Sequence, residues 1–116
     1  MRYMKMLRIN IMMTLLIISS CKHKAIVPAD PAISFSTQIQ PIVVNNCAQS
    51  GCHDGSGDLR PLKIYSEIMH SVTPGNANNS SLYTRIVNRS MPPANPLTDE
   101  QAKLIYIWIM QGAQNN

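Results

Sequence analysis

Cys47-Ala48-Gln49-Ser50-Gly51-Cys52-His53 brings two thiols and an imidazole into one short stretch. Two cysteines followed at once by a histidine are the groups that a c-type haem requires. The thiols form thioethers with the porphyrin vinyl groups, and the imidazole ligates the iron. The usual spacing is Cys-x-x-Cys-His, whereas four residues separate the cysteines here. Cys52 and His53 remain neighbours, so a thioether at Cys52 can hold the ring while His53 reaches the metal. The two additional residues are expected to bulge outward, eased by Gly51, whose backbone tolerates φ angles that other residues avoid.

A second axial ligand must come from elsewhere in the chain. Three methionines follow residue 20. Met69 and Met110 fall among apolar neighbours on predicted helices, where methionine is packing. Met91 instead precedes Pro92-Pro93, which biases it towards an extended conformation and stiffens the loop that presents its sulfur. Thioether plus imidazole is the ligand pair of electron-transfer cytochromes c, and it raises the reduction potential relative to two imidazoles. Met91 is therefore the candidate partner of His53. His70 ranks behind it and reads as a surface histidine at a helix end; His23 reads as a solvated residue ahead of the domain. The Pro61 carbonyl is a candidate acceptor for the His53 ring proton. Arg60, Lys63, Arg85 and Arg89 are available to haem propionates or to a partner, or are simply solvated.

The 116 residues leave room for one small domain. Hydrophobic residues make up 45% of the chain, yet six are aromatic and three are cysteine, too few to fill a large core or to supply a disulfide framework. The formal charge of +4 invites a nucleic-acid partner, but the excess is misplaced for one. Arg2, Lys5 and Arg8 precede an apolar stretch at 11–18 that only Thr14 interrupts. A charged start, a short apolar centre and a small-residue end are the anatomy of a signal peptide over residues 1–20. The apolar stretch is about half of the roughly 20 residues that a membrane-spanning helix needs. Ile18-Ser19-Ser20-Cys21 resembles a bacterial lipobox, with Cys21 the lipidated first residue of the mature chain. Beyond residue 20, seven basic residues face six acidic ones, and nucleic acid drops out as a partner. The expected protein is exported and membrane-anchored, on the periplasmic or cell-surface side. Free thiols do not persist in such an oxidising compartment without a reason.

The elements that must position these groups are helical. Residues 21–33, with two prolines and little periodicity, read as a tether. From Ser34, the residues Phe35, Ile39, Ile42 and Val43 share one helical face, and Pro41 predicts an irregular start with a better-formed helix to about residue 46. A loop rich in Gly, Ser and Asp covers 47–58. A short helix is predicted over 62–69, and Thr73-Pro74-Gly75-Asn76 marks a turn. Ser80 or Ser81 can cap a helix whose apolar side carries Leu82, Tyr83, Ile86 and Val87. The prolines of 90–96 exclude helix there. Thr98 and Gln101 form a capping box, Asp99 and Glu100 suit the helix dipole, and Gly112 supplies a stop. These caps decide for helix over the apolar run 104–110, which alone would pass for a buried strand. Four to five short helices and no strand signal predict an all-α fold.

In order along the chain, Phe35…Ile39-x-Pro41-Ile42, Cys47…Cys52-His53, Leu62…Tyr65, Pro74-Gly75 with Ser81-Leu82, Met91-Pro92-Pro93 and Trp108-Ile109…Gly112-Ala113 resemble the small cytochrome c domains of planctomycetes and Bacteroidetes. The resemblance covers Ser34 to Ala113, within an expected domain of 34–114. It implies a cytochrome c-like fold around one covalently bound haem c, with the terminal helices packed across each other. It carries over Cys47 and Cys52 as attachment points, His53 as proximal ligand and Met91 as distal ligand. The longer cysteine spacing departs from the commonest pattern and bears on Cys47. The implied role is one-electron transfer by a monomeric carrier, not an enzyme, serving a redox partner protein or dehydrogenase. Two other readings of the residues stay open. One is a haem-free exported lipoprotein with a Cys47–Cys52 disulfide and a binding or structural role. The other is a five-coordinate haem sensor or enzyme with Met91 off the iron. Zinc ranks last, because two cysteines and one histidine leave its fourth ligand unsupplied.

Overall fold

Ser34 starts the helical part of the described residues by capping in both directions. Its Oγ accepts the Thr37 N–H at 3.3 Å, and its own N–H donates to Gln38 Oε1 at 2.9 Å. In the computed structural model, which describes residues 27–116, this cap opens a π-helical turn, Phe35–Ile39, that runs into helix α1, Gln40–Cys47. The expected signal segment 1–20, the lipidation candidate Cys21 and His23 lie outside the described residues. The π turn has a cause in Pro41. A proline ring crowds the carbonyl four residues back and offers no N–H. A wider turn just ahead, with the Ile39 N–H reaching Ser34 O at 3.2 Å, eases that crowding.

Helix α2, Tyr65–Met69, is shorter than the span expected at 62–69. Residues 62–64 are spent on loop closure: the Leu62 N–H donates to His53 O at 3.0 Å, and Gln40 Nε2 donates to Lys63 O at 2.8 Å. Ile64 has no side-chain acceptor, so Glu67 caps the helix by itself, its carboxylate taking the Lys63 and Ile64 N–H groups. A 3-10 turn, Ala77–Asn79, leads into α3, Ser81–Val87. Ser80 precedes α3 but does not cap it. Fully buried, its hydroxyl donates to Asn76 O at 2.8 Å and accepts the Thr73 N–H at 2.9 Å, tying the Pro74-Gly75 turn shut. Helix α4, Asp99–Met110, carries the expected box, with Gln101 N–H to Thr98 Oγ1 at 3.2 Å and Thr98 N–H to Gln101 Oε1 at 3.0 Å. It ends as Gly112 turns to φ +100° and the Ala113 N–H returns to Trp108 O at 2.9 Å.

The described residues form helices and turns, with no strand among them. Their core joins the first and last helical segments. Phe35 stands edge-on to Tyr65 at 5.1 Å and packs at 5.6 Å against the fully buried Trp108. The polar ends of both partners are satisfied by the tail: Tyr65 Oη donates to Ala113 O at 2.8 Å, and Trp108 Nε1 donates to Gln114 O at 2.9 Å. The segment before Ser34 is docked as well. Gln111 Nε2 donates to Pro28 O and Pro31 O, Gln111 Oε1 accepts the Ile33 N–H, and Ile33 enters the core. No helix among the described residues is long and apolar enough to cross a membrane. In urea unfolding of the chain, Phe35→Ala is expected to cost about 3–5 kcal/mol through the cavity it leaves. Thr98→Ala is expected to cost about 1 kcal/mol through the lost cap.

Candidate functional site

Cys47 closes α1, and the next six residues turn back on it. Gln49 folds over the helix end, its Nε2 donating to Asn45 O at 2.7 Å. The Cys52 N–H then reaches Gln49 O at 2.9 Å, with Gly51 between them at φ +77°. That left-handed angle is what the four-residue spacing needs to bring the chain round. The His53 N–H donates to Cys47 O at 3.1 Å, so the histidine lies against the helix end despite the longer insert.

The His53 ring is held independently of its backbone. Its Nδ1 lies 2.7 Å from the Arg60 carbonyl oxygen. A carbonyl only accepts, so Nδ1 carries a proton, which leaves Nε2 as the ring nitrogen that can offer a lone pair. The acceptor is Arg60, one residue before the Pro61 considered from sequence. Pro61 has a different task, packing against Gly55 where a Cβ would stand 3.5 Å from its own. Next to Gly55, Asp54 accepts the Ser56 N–H at 3.0 Å and hydroxyl at 2.7 Å. Those two bonds hold its carboxyl below the usual carboxylate range.

His53 and Arg60 open onto a cleft of about 310 Å³, within the range of roughly 300–1,000 Å³ typical of small-molecule and cofactor sites. Cys47, Cys52 and His53 line the cleft, and Met91 joins them from the far half of the chain. Leu59, Leu62, Leu82, Ile86, Pro92 and Pro93 make the wall mainly apolar. Arg60 and Arg85 bring two positive charges to it, and the lining contains no carboxylate. Met69 and Met110 pack against the core, outside this cleft. His70 is exposed at the end of α2, and Lys63 and Arg89 are also exposed; none of the three lines the cleft. Sequence reading put Leu82 and Ile86 on the buried face of their helix but did not see that this face also walls the site. The signal was there in the closeness of that helix to Met91.

The two thiols differ. Both are free; Cys47 is buried and Cys52 exposed. Burial, with a smaller effect from Cys52, pushes the Cys47 thiol up to about 11. Among the described residues, no three His, Cys, Asp or Glu side chains converge as a metal cluster. No protein-family model matches this chain, and no curated protein or solved structure matches it.

The chemistry of the residues present fits a haem. The cleft is mainly apolar, and a carbonyl-held imidazole, a thioether and two thiols share its lining. In the haem-free chain, iodoacetamide at pH 8 is expected to alkylate Cys52 well before Cys47, as peptide mass spectrometry would show. The raised Cys47 value also gives stability a pH dependence. Its contribution is fully present below the ordinary thiol value of 9.0 and is lost as pH rises towards 11, because the unfolded chain ionises first. Urea unfolding across pH 8 to 11 should show this decline, and Cys47→Ser should flatten it.

Proposed function

We propose that the cleft holds one haem c and that the chain is a c-type cytochrome domain passing single electrons. One observation carries the reading: Cys47, Cys52 and His53 share an apolar cleft with Met91, a residue far away in sequence. Haem supplies the redox chemistry, with iron alternating between its ferrous and ferric forms. The protein's own residues do the rest. Cys47 and Cys52 hold the group covalently. His53 ligates iron through Nε2, while the Arg60 carbonyl keeps the Nδ1 proton, fixes the ring and raises its basicity. Met91 contributes its thioether as the second protein ligand, so no coordination position is left for a substrate and the role is carriage. The leucines, Ile86 and the two prolines exclude water, and the guanidinium groups of Arg60 and Arg85 match the anionic propionates.

Export and anchoring belong to the same proposal. The signal segment delivers the chain to an oxidising compartment, and lipid on Cys21 retains it at a membrane, periplasmic or at the cell surface. Its partner is a redox protein or dehydrogenase working at that surface, and one copy suffices for the role.

Expression with cytochrome c maturation factors, followed by intact mass and a haem-stained denaturing gel, tests this directly. The expected product carries one covalent haem. A haem-free protein two hydrogens lighter would support the disulfide-bonded lipoprotein instead. Met91→Ala is expected to keep the haem mass and abolish the methionine-to-iron charge-transfer band. An unchanged spectrum would sink the ligand assignment and leave a five-coordinate or otherwise ligated iron.

A further inference from the structure

Pro92 and Pro93 have no backbone N–H, so the N–H groups that can fasten the chain at Met91 are its own and those of the residues before it. The end of α3 is built for that. The Asn88 N–H returns to Thr84 O at 3.2 Å and the Arg89 N–H to Ile86 O at 3.1 Å. Arg89 stands at φ +59°, a left-handed angle that it shares with only one other non-glycine residue among those described. The reversal there turns the next two N–H groups, those of Ser90 and Met91, onto one acceptor, Arg85 O, each at 3.1 Å. Asn88 Oδ1 takes a second share of the Ser90 N–H at 3.0 Å. Arg85 and Ile86 themselves line the cleft with Met91. The hydrogen bonds therefore set the methionine in register with the wall of its own site.

We propose that the Asn88-Arg89-Ser90 turn positions Met91 for the iron, with the Asn88 carboxamide as its principal side-chain fastening. The inference rests on Met91 as an iron ligand. Arg89 is tolerated in a strained conformation because bonds on both sides fix the turn. Loosening either the carboxamide bond or the left-handed residue lets Met91 leave more often, while its own side chain is untouched. Asn88 touches neither haem nor iron in this scheme; it acts through the backbone of Ser90 and Met91.

The test uses the full chain loaded with haem in cells carrying the maturation factors, with the methionine-to-iron charge-transfer band and a titration with imidazole as readouts. Imidazole competes with Met91 for the iron, so its apparent affinity reports how often the methionine departs. Asn88→Ala is expected to weaken the band and to tighten imidazole binding about threefold to tenfold, the worth of one hydrogen bond. Asn88→Asp keeps the acceptor and is expected to restore both readouts. Arg89→Val places a β-branched side chain at positive φ and gives a second perturbation in the same direction, independent of the carboxamide. A full band and unaltered imidazole affinity in both Asn88→Ala and Arg89→Val would overturn the proposal. Absence of the band from the unsubstituted holoprotein would instead overturn Met91 as ligand, and the positioning role with it.

Discussion

The site depends on His53 being fastened at three points: its N–H to Cys47 O, its carbonyl to the Leu62 N–H, and its ring to Arg60 O. The first bond joins the histidine to the end of α1. The other two fold the glycine-rich loop back so that its far end returns beside its beginning. A loop of this composition loses much conformational entropy on ordering, and local hydrogen bonds are its means of compensation because it has little apolar surface to bury. The Asp54 and Ser56 turn and the Gly55–Pro61 contact act in the same sense.

The aromatic cluster supplies the frame on which that loop rests. Phe35, Tyr65 and Trp108 come from three separate helical segments, and the tail accepts the polar hydrogens of two of them. A buried tyrosine or tryptophan is costly unless its polar end is paired. The few aromatics of the chain thus do two tasks, filling volume and ordering the residues after α4. None of the three rings lines the cleft, which is walled by leucine, isoleucine and proline. In the proposed holoprotein, the porphyrin is the largest apolar body the fold encloses.

Much of this could be read from residue types, and the misses have physical causes. Thr98 with Gln101 and Gly112 marked the limits of α4 because capping is local chemistry that a sequence states outright. Gly51 was legible as the place where a longer cysteine spacing would turn. Ser80 was not, because a serine before a helix is ordinarily a cap, and only the nearby turn gives its hydroxyl better partners in Asn76 and Thr73. Residues 62–64 were read as helix from their apolar pattern; long-range bonds to His53 and Gln40 draw them out of it. The carbonyl that holds His53 was misjudged by one residue, since pattern alone cannot tell which peptide of a returning loop faces inward. The cleft itself was invisible, because no periodicity reveals that the buried side of α3 and the loop after Cys52 enclose a shared space.

Gln111 has a mechanical meaning. One side chain grips the backbone at Pro28, Pro31 and Ile33, while Asn116 holds the N–H groups of Phe35 and Ser36 close by. A pull on the chain ahead of residue 28 is therefore taken up by the C-terminal end of α4 before it reaches the first helix or the glycine-rich loop. The arrangement is that of a strain relief: traction at the leading end of the described residues meets the bonds around Gln111 first, ahead of the geometry about His53 and Met91.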